Sequence, residues 1–403
     1  MNVLFLTISE LPNLEGHSIS IDLMHEFVRN GHNVFVVGAA SKDSTEDTKI
    51  TKEAGCTALR VKIGDNKKAN PIKKGITTVT MPKQYIRAIE KYLEGIKFDA
   101  ILYPTPPVTL VKTVEHFKKR DGAKTYLLLK DIFPQNAVDI GMLSKKGVKG
   151  NIYKYFRRQE KLLYAISDRI GCMSEANVQY ILNHNSEINS EKVEVCPNSI
   201  EFIDKTISSE QRDNIRKKYN LPTDKKIFVY GGNLGKPQGI PFLMKCLEKE
   251  RGNNDVLFFI VGAGTEYTKL ENFINKNDFS NVRLMARLPK EDYDILVSSC
   301  DVGMIFLDHR FTIPNFPSRL LSYMQAGLPV FACTDSNSDI GEVITKGKFG
   351  WWCESNDVNQ FAKTVDLISK SDLIHIGLNG KKYLIDNYTV QKQYLTINKF
   401  LGG

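Results

Sequence analysis

Several patterns that would define a function class are missing from this chain of 403 residues. Its seven cysteines are scattered and contain no C-x-x-C pair, so we expect neither a zinc site nor a disulfide framework, which fits a reducing cytoplasm. No apolar run approaches the roughly 18–20 residues that span a bilayer. The first residues, MNVLFLTISELP, have no basic region before a short apolar stretch, so they predict a β-strand and not a signal peptide.

Motifs for three common enzyme chemistries are absent as well. The first strand lacks the dinucleotide fingerprint, and the turn Val261–Glu266 (VGAGTE) has no third glycine at the required spacing, which argues against a nicotinamide dehydrogenase. The seven histidines form neither a triad nor a metal-binding pattern. Asp335 and Asp339 belong to the turn-rich segment TDSNSD, which we expect to face solvent and not to hold a metal.

The composition is that of an ordinary globular protein, but its charge is uneven. With 42% hydrophobic and 25% charged residues, the chain is not a disordered, collagen-like or coiled-coil sequence. Residues 1–200 carry a net charge of +7 and residues 201–403 a net charge of +2. The excess suits nucleic acid, an anionic membrane or a phosphorylated substrate, and a solvated surface is the alternative. The basic clusters are Lys62, Lys67, Lys68, Lys73 and Lys74, and then Lys145, Lys146, Lys149, Lys154, Arg157, Arg158 and Lys161.

Strand and helix signals alternate along the chain, which predicts two doubly wound, Rossmann-like α/β domains. We expect domains at residues 1–200 and 201–385 and a C-terminal helix at 386–403. A helix over Ile19–Asn30, followed by Gly31 as its cap, is one of the connecting helices. Because ligands bind beyond the carboxyl ends of parallel strands, we expect the site in a central cleft that both domains face. Strands are predicted at Val3–Thr7, Asn33–Val37, Ala58–Val61, Ala100–Tyr103, Thr125–Leu129, Ile170–Met173, Lys192–Cys196, Lys226–Tyr230, Asp255–Val261, Val282–Met285, Val302–Phe306, Val330–Ala332 and Trp351–Cys353.

Two glycine-rich turns follow strands of the second half. GGNLGKPQG, Gly231–Gly239, leads into a helix whose amide groups would face an anion, and Lys236 in this loop can neutralise a phosphate. VGAGTE is a second turn of the Gly-x-Gly type. Each turn is also typical of an ordinary strand-to-helix connection, so neither identifies a ligand by itself.

The segment Phe311–Ala332, FTIPNFPSRLLSYMQAGLPVFA, is the most informative. Pro317 can start a helix because its missing N–H costs nothing in the first turn. Ser318 and Arg319 would then supply free backbone amides and a cation, which together form an anion cradle. A buried crossover helix over Ser318–Ala326 is a compatible interpretation of the same segment.

These motifs together resemble glycosyltransferase family 4, whose members have the two-domain GT-B fold, and the resemblance covers essentially the whole chain. Residues 15–37 resemble the family's glycine loop, helix and GH-x-V strand. KDIFPQNAVDIG, residues 130–141, resembles the DLWPE-type segment of a bacterial branch that builds surface polysaccharides, including colanic-acid and O-antigen enzymes. CPNSIE, residues 196–201, is similar to the interdomain P-N-G-x-D turn. GNLGKPQG, VGAGTE and PSRLLSYMQAGLPV resemble the donor-side motifs, and the C-terminal helix is implied to cross back onto the N-terminal domain.

The chain departs from the family at several donor-side positions. The E-x7-E motif falls on Pro314 and Ser322, so no glutamate stands where the family's second one binds the donor ribose. The usual arginine and lysine ligands of the phosphates fall on Asn233 and Gln238. The polysaccharide branch shares such departures, which indicates a subfamily pattern, with an inactive paralogue as the alternative. The implied donor-binding residues, in which Lys236 and Arg319 replace the missing cations, are Gly232, Asn233, Gly235, Lys236, Gln238, Gly262, Gly264, Arg287, Pro317, Ser318, Arg319 and Ser322.

The resemblance also implies a retaining transfer that uses no metal and no cofactor, from a nucleotide-diphosphate sugar that we expect to be a UDP-N-acetyl amino sugar. The leaving phosphate can take the acceptor proton. Cations, amides and helix dipoles would then stabilise the negative charge of the leaving group. Asp131 and Lys130 are the catalytic candidates. Asp131 would hydrogen-bond to hydroxyl groups of the donor or acceptor, and Lys130 would steer a phosphate. The alternative for Asp131 is a helix N-cap. Glu15, Gly16 and His17 in the first loop are the implied acceptor-binding residues.

The implied acceptor is a growing capsule, O-antigen or exopolysaccharide chain carried on polyprenyl diphosphate. Residues 145–161 interleave basic and aromatic side chains, which indicates a peripheral helix on the anionic inner face of the plasma membrane; a core-packed helix with a solvated basic face is the alternative. Two other functions remain open. One is a GT-B nucleotide-sugar 2-epimerase, whose acidic and histidine clusters have no match here. The other is a nucleic-acid-binding protein that uses YKYFRRQEK, although we expect no nucleic-acid partner.

Overall fold

A computed structural model describes residues 1–41, 47–63 and 71–403 of the chain. The chain forms two compact units: unit 1 comprises Met1–Glu201 and Thr389–Gly403, and unit 2 comprises Phe202–Tyr388. The boundaries expected from the sequence were residues 200 and 385. Of the first predicted basic cluster, Lys67 and Lys68 and the side chains of Lys73 and Lys74 lie outside the described residues.

Unit 1 alternates strands and helices around one sheet. Its described strands are ordered β3-β4-β2-β1-β5-β6-β7-β8, and every pair is parallel except β3 with β4. Up to Glu201 the elements are β1 (Asn2–Glu10), α1 (Ile19–Arg29), β2 (Asn33–Ala39), β3 (Lys49–Glu53), β4 (Cys56–Val61), α2 (Pro71–Tyr92), β5 (Ala100–Thr105), α3 (Val111–Asp121), β6 (Lys124–Leu129), α4 (Gln135–Asp139), α5 (Gly147–Ile166), β7 (Arg169–Cys172), α6 (Glu175–His184) and β8 (Val193–Val195).

Local chemistry explains the first strand–helix–strand unit. The Ser18 hydroxyl accepts the N–H of Ile21 and so caps the start of α1. After the helix, Gly31 takes a φ of +78°, a left-handed conformation that lets the chain turn into β2. The predicted helix over Ile19–Asn30 is therefore confirmed to within one residue. Strand β3, in contrast, was not predicted, because KITKE is a mostly exposed edge strand without an apolar signal.

Unit 2 is a fully parallel sheet in the described residues. Its order is β11-β10-β9-β12-β13-β14. The predicted strands are confirmed, and the first two continue beyond their expected ends at Tyr230 and Val261 because the glycines that follow still pair. The elements are α7 (Ser209–Lys218), β9 (Lys226–Asn233), α8 (Ile240–Lys249), β10 (Val256–Ala263), α9 (Tyr267–Asn277), β11 (Val282–Ala286), α10 (Lys290–Ser298), β12 (Val302–Phe306), α11 (Arg319–Gln325), β13 (Val330–Thr334), α12 (Ile340–Lys346), β14 (Gly350–Glu354), α13 (Val358–Ser369) and α14 (Leu373–Asn387).

The last helix, α15 (Val390–Leu401), belongs to unit 1 and packs on α1. The ring of Tyr394 meets Phe27 edge-on at 4.9 Å, and its hydroxyl lies 2.9 Å from Nε2 of His32. The histidine that follows Gly31 thus has a packing role. Within the described ranges, no helix is both long enough and apolar enough to cross a membrane.

Candidate active site

In unit 2, β9 and β10 end side by side, and that contact requires glycine. Gly232 pairs with Gly262 in the parallel register. A Cβ on Gly262 would lie 2.2 Å from the carbonyl oxygen of Gly232, and one on Gly264 would lie 2.3 Å from that of Leu234. Larger residues would therefore force the two strand ends apart. These glycines have a packing reason, and their contact with a donor stays a prediction.

The loop that follows β9 is closed by the side chain of Gln238. Its Oε1 accepts hydrogen bonds from Nδ2 of Asn233 at 3.0 Å and from the backbone N–H of Gly235 at 3.1 Å. Lys236 is exposed between them, on a single 3₁₀ turn, and has no ion pair among the described residues. Arg287 is exposed just after β11, at the same carboxyl edge of the sheet. Asn233 and Gln238, which stand where the family has its phosphate-binding arginine and lysine, therefore hold the shape of this loop. Lys236 is the cation that the loop exposes.

Arg319 lies behind this loop. Its guanidinium carbon is 4.3 Å from the centre of the Tyr230 ring, which is a cation–π contact. A Cβ on Gly232 would lie 3.3 Å from Nη2 of Arg319, so the guanidinium group adjoins the bare backbone at that position. Nη1 is buried and has no hydrogen-bond partner in the described part of the chain. An unpartnered buried N–H is costly, so this donor is available to a ligand.

Two further tyrosines, which sequence reasoning missed, complete the surroundings of Arg319. The hydroxyl of Tyr323 accepts the N–H of Gly231 at 3.4 Å and lies 3.1 Å from the carbonyl oxygen of Met304. The hydroxyl of Tyr293 occupies the place where a Cβ on Gly231 would stand, only 1.7 Å away. These tyrosines come from α10 and α11, so no sequence spacing could have grouped them with β9.

Helix α11 begins one residue later than predicted. The N–H of Leu320 donates to the carbonyl of Pro317 at 3.2 Å, and that of Leu321 to Ser318 at 3.1 Å. Any anion at this helix start must therefore meet the amides of Ser318 and Arg319 themselves. Ser318 is exposed and Ser322 on the same helix is half-buried, and their donor roles stay predictions.

The expectation that Asp335 faces solvent is wrong. This residue is fully buried after β13, and burial raises the pKa of its carboxyl group to about 6. Its oxygens accept the N–H groups of Asn337 and Ser338 and the hydroxyl of Ser338. That hydroxyl in turn accepts the N–H of Asn315 at 2.8 Å. Asp335 thus anchors the segment that leads into α11.

In unit 1, the loop after β1 is attached to the β3–β4 hairpin. The N–H of Leu14 donates to the carboxylate of Glu53 at 3.0 Å, and Glu15 Oε1 accepts the N–H of Ala54 at 2.8 Å. Glu15 is therefore engaged in holding the loop. A Cβ on Gly16 would meet nothing within 4 Å, so open space surrounds this position. The predicted acceptor contacts of both residues remain untested.

The third residue of that loop, His17, stands next to buried acid. Its Nδ1 lies 3.1 Å from Oδ1 of Asp22 and 3.8 Å from Oε2 of Glu201. In the described part of the chain these three residues form a group whose possible ligand atoms all lie within 4.8 Å of one another. Oε2 of Glu201 also accepts a hydrogen bond from Nη2 of Arg29 at 2.7 Å. That guanidinium charge disfavours a metal ion at the same place.

Lys130 and Asp131 follow β6, at the carboxyl edge of the sheet in unit 1. Burial raises the pKa of Asp131 to about 6 and lowers that of Lys130 to about 8. Asp131 Oδ2 accepts from Nδ2 of Asn136 at 2.7 Å, while Oδ1 has no partner among the residues described. Because α4 has Pro134 at its N-cap, Asp131 is not the cap of that helix. The carboxyl group is therefore available to a ligand.

A pocket of about 180 Å³ lies beside α1, and residues of the first loop of unit 1 form part of its wall. The Nζ of Lys130 lies 3.4 Å from the hydroxyl of Ser20, which lines this pocket. The predicted catalytic segment thus reaches one residue of the pocket wall through Lys130, and Leu14 and Ser18 of the first loop line the same pocket. Its lining residues are Phe5, Thr7, Ser9, Glu10, Leu11, Pro12, Leu14, Ser18, Ser20, Ile21, Met24 and Val36.

The basic helix α5 presents an exposed apolar stripe. Val148, Ile152, Tyr155 and Leu162 recur at helical spacing and are 81%, 43%, 40% and 42% exposed. The flanking side chains of Lys145, Lys149, Lys154 and Arg158 are exposed as well.

Other members of the predicted set in α5 face inward. Arg157 forms a 2.6 Å ion pair with the buried Glu160, and Leu163 is fully buried. The ring of Phe156 packs against Phe133 at 5.0 Å. The helix is therefore core-packed on one side and basic with apolar side chains on the other, and its contact with a membrane stays a prediction.

Comparison with known proteins assigns the enzyme class. Residues 211–391 match the family Glycosyl transferases group 1. The chain is 26% identical over 309 residues to the probable glycosyltransferase WbjE of Pseudomonas aeruginosa, which covers 75% of this chain and 73% of that one. The protein is a glycosyltransferase, and its group 1 match covers residues 211–391.

A further relative of the glycosyltransferase and a solved structure with a similar fold extend the comparison. The putative colanic acid biosynthesis glycosyl transferase WcaI of Escherichia coli K12 is 22% identical over 251 residues, which cover 61% of this chain and 60% of that one. The solved structure of HepE from Anabaena in complex with UDP-glucose has a TM-score of 0.70 at 14% identity, over 100% of this chain and 99% of that one. The predicted GT-B fold is confirmed, and the 2-epimerase and nucleic-acid alternatives are set aside.

Proposed function

We propose that this glycosyltransferase is a family 4 enzyme that transfers a sugar, with retention of configuration, from a UDP-linked N-acetyl amino sugar to a surface polysaccharide. The observation that carries the proposal is the unpartnered Nη1 of Arg319 beside Gly232, with the exposed Lys236 on the neighbouring loop. The name of WcaI refers to colanic acid biosynthesis, and HepE was solved with UDP-glucose, which supports the acceptor and donor classes.

The chemistry follows from positive charge and needs no metal or cofactor. Lys236 and Arg319 take up the charge that develops on the leaving diphosphate through charge-assisted hydrogen bonds. The bond between the anomeric carbon and the diphosphate oxygen breaks as the acceptor oxygen bonds to that carbon from the same face. The departing diphosphate oxygen accepts the proton of the acceptor hydroxyl, so no protein nucleophile is required. In unit 1, Asp131 hydrogen-bonds substrate hydroxyl groups through its free Oδ1, and Lys130 offers a cation to a phosphate.

The acceptor in this proposal is a growing capsule, O-antigen or exopolysaccharide chain linked to polyprenyl diphosphate at the inner face of the plasma membrane. The support is helix α5, whose exposed apolar stripe is flanked by lysines and arginine. Apolar side chains enter the headgroup region, while each basic residue near an anionic surface adds about 1 kcal/mol.

The donor is tested by screening UDP-, GDP- and dTDP-linked sugars for thermal stabilisation of the protein and for slow donor hydrolysis. We expect a UDP-linked N-acetyl amino sugar to raise the melting temperature most. Stabilisation by GDP- or dTDP-sugars alone would contradict the UDP assignment, and stabilisation by no nucleotide sugar would contradict the proposal as a whole.

A further inference from the structure

A buried aspartate holds the exposed histidine of the first loop in unit 1. The side chain of Asp22 is 3% exposed and that of His17 is 45% exposed, and Oδ1 of the first lies 3.1 Å from Nδ1 of the second. Asp22 stands in the first turn of α1, where the helix dipole favours a carboxylate. Its oxygens also accept the backbone N–H groups of Ser18 at 3.2 Å and Glu201 at 3.0 Å.

These contacts decide which nitrogen of the neutral imidazole carries the proton. An ionised carboxylate only accepts hydrogen bonds, so Nδ1 of His17 must donate to Asp22. Nε2 then holds the lone pair and accepts a hydrogen bond from solvent or ligand. In Ser-His-Asp triads a buried aspartate sets the histidine tautomer in the same way, and exchange of that aspartate for asparagine reverses it.

The loop that holds this pair lies where ligands of doubly wound folds bind. His17 lies in the loop between β1 and α1, beyond the carboxyl end of a central strand of a parallel sheet, where ligands of doubly wound folds bind. The pocket of about 180 Å³ is lined by Leu14 and Ser18, on either side of His17 in the chain.

We propose that Asp22 is a positioning residue that fixes the His17 tautomer, so that Nε2 accepts a hydrogen bond from a hydroxyl group of the glycan acceptor. This inference rests on the proposed function for its substrate and on the contacts above for its geometry. Glu201 secures the arrangement from the other side, because its carboxylate pairs with Arg29 while its backbone N–H binds Asp22.

The geometric half of the proposal is tested without any substrate. Long-range ¹H–¹⁵N spectra of the imidazole groups distinguish the two tautomers at a pH where the rings are neutral. We expect a protonated Nδ1 and a bare Nε2 at His17 in the wild type, and the reverse in Asp22→Asn. His116 provides the matched control, since it pairs with Glu90 at 2.8 Å through Nε2, and Glu90→Gln should leave the His17 signals unchanged.

Two results of this experiment overturn the proposal. A wild-type His17 with its proton on Nε2 would show that Asp22 does not set the tautomer. Selective broadening of the His17 signals by micromolar Mn²⁺ would identify His17, Asp22 and Glu201 as a cation site instead. The wild-type spectrum decides both points even where Asp22→Asn fails to fold.

The functional half is tested by kinetics with a UDP-N-acetyl amino sugar and a polyprenyl-diphosphate-linked sugar. We expect Asp22→Asn to lower kcat for transfer by about tenfold to a hundredfold, because the acceptor is misplaced. The KM of the donor and donor hydrolysis by water should be unchanged. His17→Ala should show the same loss, and the double variant no further one.

Additive losses in the double variant, or wild-type transfer by Asp22→Asn, would overturn the positioning role. Absence of transfer by the wild-type enzyme with every nucleotide sugar is a different result. It would contradict the proposed function, while the spectra would still decide the state of His17.

Discussion

At the scale of single residues, Lys236 and Arg319 of unit 2 differ in their surroundings, although the sequence predicts that both bind the donor. Lys236 is exposed on the loop after β9, whereas Arg319 stacks on Tyr230 and keeps one buried N–H without a partner in the described chain. Burial strengthens a charged hydrogen bond and makes an unpaired donor costly. Replacement of Arg319 should therefore weaken binding of a nucleotide diphosphate more than replacement of Lys236 does.

Replacement of either cation by alanine should weaken binding of a nucleotide diphosphate. Each charge-assisted hydrogen bond contributes about 1–3 kcal/mol, so we expect a loss of about tenfold or more in Lys236→Ala and in Arg319→Ala, measured by calorimetric titration with UDP. Lys245→Ala, which removes the same charge from the exposed side of α8, is the control and should bind normally. Unchanged affinity in both site variants would mean that the phosphate site lies elsewhere.

Asp131 and Lys130 should give a bell-shaped pH dependence of kcat/KM. The pKa of Asp131 is about 6 and that of Lys130 about 8, so the carboxylate is charged above the first value and the ammonium below the second. Activity should therefore be highest between about pH 6 and pH 8. Asp131→Asn should remove the acidic limb, and Lys130→Arg should move the alkaline limb upward. A pH profile that neither variant alters would show that neither residue takes part in the reaction.

At the scale of elements, helix α5 has one buried side and one exposed side, and both arise from the same alternation of basic and apolar residues in the sequence. Glu160 and Leu163 face inward, while Val148, Ile152 and Tyr155 remain exposed. An exposed apolar stripe with basic residues on both sides is typical of helices that lie in a membrane interface.

Helix α5 should attach the protein to anionic vesicles at low salt. We expect co-sedimentation with vesicles that contain an anionic lipid, loss of binding at high salt because charges are screened, and no binding to neutral vesicles. Val148→Ser should weaken binding. Ile374→Ser is the matched control, because Ile374 on α14 is 78% exposed against 81% for Val148. Two results would refute membrane binding by α5. One is equal co-sedimentation of the protein with neutral and anionic vesicles, and the other is equal co-sedimentation of the Val148→Ser and Ile374→Ser variants.

At the scale of the whole molecule, charge and fold together favour chemistry based on cations. The net charge is +9, of which residues 1–200 carry +7, and the carboxyl edge of each sheet presents at least one cation beside a loop. A leaving diphosphate can be stabilised by such groups without a metal ion.

Transfer should therefore continue in excess chelator. We expect the rate with EDTA to equal the rate without it, and added Mg²⁺ or Mn²⁺ to change it little. The assay follows release of UDP, with a metal-dependent glycosyltransferase in parallel as the control for chelation. Loss of turnover with EDTA that Mn²⁺ restores would contradict the proposed mechanism.

Much of the fold could be read from the sequence because its strands are buried on both faces. Runs such as Val3–Thr7 and Val302–Phe306 are continuous apolar segments, and a parallel sheet covered by helices requires such runs. Strand β3 escaped prediction because it is polar and lies at an edge. The proline, glycine and cation positions of the predicted donor-side loops could be read as well, since they are local features of the chain, and their contact with a donor stays a prediction.

The sequence by itself determined the strand–helix alternation, the glycine turns and the cations that stand near them, because each of these depends on neighbours in the chain. Only the tertiary structure decided what those groups touch. Tyr230, Tyr293 and Tyr323 meet around Arg319 from three elements, and Asp335, expected in solvent, is buried. Partners far apart in sequence meet only when the sheet brings their loops to one edge, and burial then sets their protonation and their need for a partner.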